Sequence, residues 1–107
     1  MKKLMLFLDT SSVHETRVSL KQNGTIREIV LPGNRFRSEV ALPLIEKVLT
    51  EWNVSVHDID GIYVHEGPGS FTGLRVGFAI GNMLAQLLSV PMNGKPPGSG
   101  IIPRYET

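Results

Sequence analysis

Gly67-Pro68-Gly69-Ser70-Phe71-Thr72-Gly73-Leu74-Arg75-Val76-Gly77 is the stretch whose reading decides the fold. It follows an apolar run, Ile62-Tyr63-Val64, and leads into a long apolar segment, an order of strand, glycine-rich turn and helix. Gly67 and Gly69 open backbone angles closed to other residues, and Pro68 fixes its own φ between them. Ser70 or Thr72 can cap the first free N–H groups of the helix. A helix N-terminus among small residues is a natural anion site, so Gly67, Gly69 and Ser70 are candidate phosphate contacts.

The same stretch begins a second pattern. Gly69, Gly73, Gly77, Gly81 and Ala85 recur every four residues and form one slowly drifting stripe. Each interior glycine costs a helix roughly 1 kcal/mol relative to alanine, so three in one helix call for a compensating contact. A groove free of side chains lets a neighbouring helix approach closely. The other faces carry Leu74, Val76, Phe78, Ile80, Met83, Leu84, Leu87 and Leu88, so the helix is expected to be buried on more than one side. The expectation is a helix packed on its own sheet and, through its glycine face, on another helix. The apolar run from Phe71 to Val90 approaches the length of a bilayer span, but Arg75, Asn82, Gln86 and the glycines interrupt it, and no membrane is expected.

Working outward, Leu4-Met5-Leu6-Phe7-Leu8 is continuously apolar, the pattern of a strand covered on both faces. Asp9-Thr10-Ser11-Ser12 is a polar turn. Thr16 to Lys21 alternates, with Val18 and Leu20 inward; Asn23-Gly24 signals a hairpin, and Thr25 to Leu31 continues the meander. Ser38 is the expected N-cap of a helix reaching Trp52, whose apolar side holds Val40, Leu44, Ile45, Val48 and Leu49, with Pro43 bending its start. Gly61 to His65 is the fourth strand. The glycine-stripe helix should stop near Ser89, because Val90 precedes Pro91. Val90 to Asn93 is a short expected fifth strand. Beyond it, Gly94, Pro96, Pro97, Gly98 and Gly100 mark a tail that is extended and docked through Ile101, Ile102 and Tyr105 or else loose. Residues 1–93 thus form one lobe and residues 94–107 a Gly/Pro-rich tail. The order βββαβα(β), a meander followed by a right-handed crossover, is that of a ribonuclease H-like α/β lobe with a mixed five-stranded sheet, the unit of actin-like ATPases.

The composition is that of one globular domain. In 107 residues, 41% are apolar and 20% charged, with a net charge of +1, so charge alone points to neither nucleic acid nor membrane. The absence of cysteine excludes disulfides, thiolate metal sites and cysteine nucleophiles. Lys2-Lys3 before Leu4 to Leu8 imitates a signal peptide only weakly, because Asp9 interrupts the run, and a cytoplasmic protein is expected.

Four segments then carry a family resemblance: Leu8-Asp9-Thr10-Ser11, Leu42-Pro43-Leu44-Ile45, Ile59-Asp60-Gly61-Ile62 and, above all, GPGSFTGLRVG at Gly67 to Gly77. Their order and spacing resemble the TsaB (YeaZ) family over roughly residues 4 to 93. The resemblance implies an actin-like fold and a part in making threonylcarbamoyladenosine in tRNA. The implied role is a non-catalytic partner without a cofactor of its own. It would pair with a TsaD-like catalytic subunit, joined by a TsaE-like ATPase, or with itself, and would meet tRNA only indirectly. By position, the implied pairing residues are Ser38, Leu42, Ile45, Leu49, Gly73, Leu74, Gly77, Phe78 and Gly81. Two departures stand out. Arg37 occupies a position where the family usually has histidine, and the chain stops where the family's second lobe would begin.

Catalytic chemistry has narrower support. Asp9 ends the first strand, where ribonuclease H-like nucleases and actin-like ATPases put a metal-binding carboxylate, and Glu66 could lie near it. With Thr10, Asp9 is a candidate nucleotide contact; the competing reading is that Asp9 caps its own turn. A nuclease or ATPase remnant using Asp9 is the alternative function. His14, His57 and His65 show no helical metal-binding spacing, and Ser70 lacks a GxSxG frame, so neither a metal site nor a serine nucleophile is expected. Arg35 and Arg37 with Lys2 and Lys3 form either a small basic patch or a solvated edge.

Overall fold

The computed structural model describes residues 3–33 and 37–99, with residues 37 and 38 described for their helical backbone only. The meander consists of β1 (Met5–Asp9), β2 (Glu15–Gln22) and β3 (Thr25–Pro32). Asn23 and Gly24 both take positive φ, 54° and 77°, and make the two-residue turn that sets the β2–β3 register, with Gln22 opposite Thr25. Helix α1 (Arg37–Glu51) follows, then a single 3-10 turn at Val56–Asp58 capped by Ser55, then β4 (Gly61–Val64) and α2 (Phe71–Leu88). Ser38 therefore lies one residue inside α1 rather than at its cap, and its side chain lies outside the described residues. Helix α1 runs through Pro43 without a break, carried by the burial of Ala41, Leu44, Ile45 and Val48.

The sheet order is β3-β2-β1-β4. β1 is antiparallel to β2 and parallel to β4, so the chain crosses over through α1 and returns beside its own first strand. Leu4, Leu6 and Leu8 of the β1 segment, Val18 and Leu20 of β2, and Ile62 and Val64 of β4 enter one core with both helices. Full burial of each such side chain is worth about 1.5–3 kcal/mol.

Two expectations are corrected. The sheet has four strands among the described residues, not five. Met92 makes only isolated bridges, parallel with Ile62 and antiparallel with Lys95, because Pro91 offers no N–H and Asn93 and Gly94 turn away at φ 51° and 78°. Nor is β1 covered on both faces. Leu6 and Leu8 are buried beneath the helices, while Met5, Phe7 and Asp9 face the other side and are only half-buried. On that open face the Phe7 ring stacks on the Tyr63 ring, 5.5 Å between centroids and 13° between planes. The expected docking of Ile101, Ile102 and Tyr105 lies outside the described residues.

Candidate functional site

The glycine-rich turn folds against the end of β1. Ser70 takes extended angles as the N-cap of α2, and its Oγ accepts from the Gly73 N–H at 3.1 Å. Its own N–H donates to the Ser11 carbonyl at 2.9 Å. Thr10, almost wholly buried, donates its hydroxyl to the Gly73 carbonyl, which pins the first turn of α2 to the β1–β2 turn. Asp9 accepts from the Ser11 N–H at 2.9 Å and the Ser11 hydroxyl at 2.6 Å, closing that turn on itself. Of the candidate anion contacts, Asp9, Thr10, Gly69 and Ser70 thus converge on one corner and hold its two turns together.

The glycine stripe is the structural reason for that corner. A Cβ at Gly69 would fall within 3.0 Å of Ser11, at Gly73 of the Thr10 carbonyl, at Gly77 of the Thr10 hydroxyl and at Gly81 of Val64. The groove expected to admit another helix is filled instead by the chain's own β1–β2 turn, β4 and Met92. That corrects the physical reason assigned to the stripe. It lets α2 lie close on its sheet. Leu74 and Phe78 are likewise buried in the core, as are Ile45 and Leu49 of α1, whereas Leu42 is 43% exposed.

The outward side of α2 carries a second row at the same spacing, offset by two residues: Phe71, Arg75, Ala79, Met83 and Leu87. Phe71 is 56% exposed and Leu87 74%, and the Arg75 guanidinium lies 5.7 Å from the centre of the Phe71 ring. Sequence reasoning singled out the glycine row and passed over this one, although both have the same period. Between the two helices, Leu42, Ile45, Leu49, Val54, Val56 and Leu84 line a shallow apolar groove. Helix α2 is long and apolar enough to cross a membrane by length and composition. Its glycine side, however, packs on the sheet.

On the remaining face, Arg17 pairs with Glu15 and, at 2.9 Å, with Glu28. The Glu15 hydrogen bond and the Glu28 charge hold the Arg17 guanidinium above its ordinary range. Glu66 accepts from the Asn93 amide at 2.8 Å, and the His65 ring contacts the Pro68 carbonyl at 3.0 Å. Among the described residues no three acidic or histidine side chains lie close enough to hold a metal ion.

Residues 24–94 match the family described as TsaD: tRNA N6-adenosine threonylcarbamoyltransferase. The chain is 33% identical over 90 residues to the tRNA threonylcarbamoyladenosine biosynthesis protein TsaB of Escherichia coli, covering 84% of this chain and 38% of that protein. To the protein of the same name from Bacillus subtilis it is 29% identical over 89 residues, 83% of this chain and 39% of that one. The fold is similar to YeaZ from Pseudomonas aeruginosa, with a TM-score of 0.79 and 30% identity over 84% of this chain and 42% of that chain. The chain therefore spans about two fifths of the length of these three relatives.

Proposed function

The chain belongs to the TsaD family, on its TsaB (YeaZ) side, and from that membership we propose that it serves tRNA threonylcarbamoyladenosine biosynthesis as a non-catalytic partner. Its partner is a TsaD-like catalytic subunit, with a TsaE-like ATPase as third component in the cytoplasm. The observation that carries this reading is the exposed outward row of α2. Three large apolar side chains, Phe71, Met83 and Leu87, stand exposed on one helix face of a chain whose core is already closed. Such exposed apolar side chains along one helix face, with Arg75 among them, fit a protein interface.

Asp9 supports the same side of the argument. Its carboxylate accepts two hydrogen bonds from Ser11, which accounts for an acid at the end of β1 without a metal. The test is reconstitution of tRNA modification from the TsaD-like and TsaE-like proteins of the same organism, with and without this chain. Adding the chain should raise the yield of threonylcarbamoyladenosine, and Asp9→Asn should support it nearly as well. A yield indifferent to the chain contradicts the partner role. A yield lost with Asp9→Asn, while the variant still pairs, would instead place Asp9 in catalysis.

A further inference from the structure

The chain contains two Asn-Gly dipeptides, Asn23-Gly24 and Asn93-Gly94, and both sit in the same kind of turn. Asn23 and Gly24 take φ 54° and 77° and join β2 to β3, with Gln22 opposite Thr25. Asn93 and Gly94 take φ 51° and 78°, and Met92 and Lys95 exchange two backbone hydrogen bonds across them, both at 2.9 Å. Dipeptide and turn are therefore matched. What differs is the carboxamide.

At Asn93 the carboxamide is clamped. Its Oδ1 accepts from the Val64 N–H at 2.7 Å, and its Nδ2 donates to the Val64 carbonyl at 2.9 Å and to the Glu66 carboxylate at 2.8 Å. It continues along β4 what the backbone begins, where the Ile62 N–H donates to the Pro91 carbonyl and the Ile62 carbonyl accepts from the Asn93 N–H. Asn23 is exposed at the hairpin tip, and its carboxamide has no hydrogen-bond partner among the described residues. A Cβ placed on Gly24 would meet nothing within 4 Å, so the space around that turn is open.

We propose that Asn23 is a site of spontaneous deamidation, with water as the co-reactant, and that its clamp shields Asn93 from the same reaction. The Gly24 backbone nitrogen attacks the Asn23 Cγ, and a new C–N bond forms there. The bond from Cγ to Nδ2 breaks, and ammonia leaves with the proton of the Gly24 nitrogen. Water then opens the resulting cyclic imide at either of its carbonyl carbons. One opening gives aspartate; the other gives isoaspartate, whose backbone runs through the former side chain and lengthens the turn. Glycine suits the attack because no side chain shields its nitrogen. At Asn93 the Cγ must swing over the Gly94 nitrogen, which breaks both bonds to Val64. Conversion there would set a carboxylate against the Val64 carbonyl and Glu66. The clamp thus protects the residue whose loss would unfasten the β4 edge.

The test is incubation of the folded chain in mildly alkaline buffer, read by intact mass and by fragmentation of its peptides. The segment with Asn23 should gain about 1 Da as an amide becomes an acid. Asn93 should convert at least about tenfold more slowly, because attack waits on a local opening that breaks its hydrogen bonds. In urea, where both turns are gone, the two should convert at similar rates. Asn23→Gly, which a two-residue turn of this type accepts, should abolish the early mass gain. Equal rates at the two asparagines of the folded chain, or faster conversion at Asn93, would overturn the proposal. So would an Asn23 that stays unchanged in the folded chain while converting in urea. A difference in rate that persists in urea would also overturn it, since sequence rather than the clamp would then set the order.

Discussion

Gly73 shows most sharply how one residue's neighbours reverse the meaning of its type. By propensity alone, replacing a helix-interior glycine with alanine gains about 1 kcal/mol. Gly73→Ala should instead destabilise the chain by about 3 kcal/mol in urea unfolding, because its Cβ would enter the Thr10 carbonyl and the Ser11 backbone, neither of which can rotate away. Gly81→Ala should cost less, since it meets the flexible Met92 side chain as well as Val64. If Gly73→Ala stabilises, the close approach of α2 to the β1–β2 turn is wrong. The spacing of the stripe was legible in the sequence, but its direction was not. A groove of glycines accepts either a helix or a turn, and the filling residues, Thr10 and Ser11, lie about sixty positions earlier in the chain. Asn93 was invisible for a related reason. It reads as a turn residue, and it is one at φ 51°, yet its carboxamide also completes β4.

At the scale of elements, local chemistry placed the meander, the hairpin, both helices and β4 within one or two residues of their observed ends. Each of these carries its own signal: alternation in β2, Asn23-Gly24 at the turn, the 3.6-residue period in α1 and the capping serine of α2. What failed depended on cover from elsewhere. The apolar run of β1 implied two covered faces, yet both helices pack on the same side and leave Phe7 against Tyr63 on the other. The fifth strand failed because every second residue of a strand must offer its N–H to the neighbour, and Pro91, which faces β4, has none. Helix α2 divides cleanly, with its glycine ridge inward and its Phe71–Leu87 ridge outward. Leu87→Asp should therefore leave the unfolding free energy within about 0.5 kcal/mol of the wild type, as surface substitutions do. The same change should weaken binding to a TsaD-like partner at least tenfold in calorimetric titration, by removing an anchor from the interface. Binding unchanged by Leu87→Asp would move the interface off α2.

At the scale of the whole molecule, one sheet, two helices on one face and a corner locked by Thr10, Ser11 and Ser70 make a closed core with an apolar helix face turned outward. The N-terminus of α2 is capped by Ser70, and Asp9 is engaged by Ser11. In the proposed role, this chain acts by holding a partner. The most direct test is light scattering during size exclusion of the chain mixed with the TsaD-like protein of the same organism. The expected result is a mixed complex that contains both chains, heavier than either alone and stable through the column. Two separate peaks, each at the mass it shows alone, would contradict it.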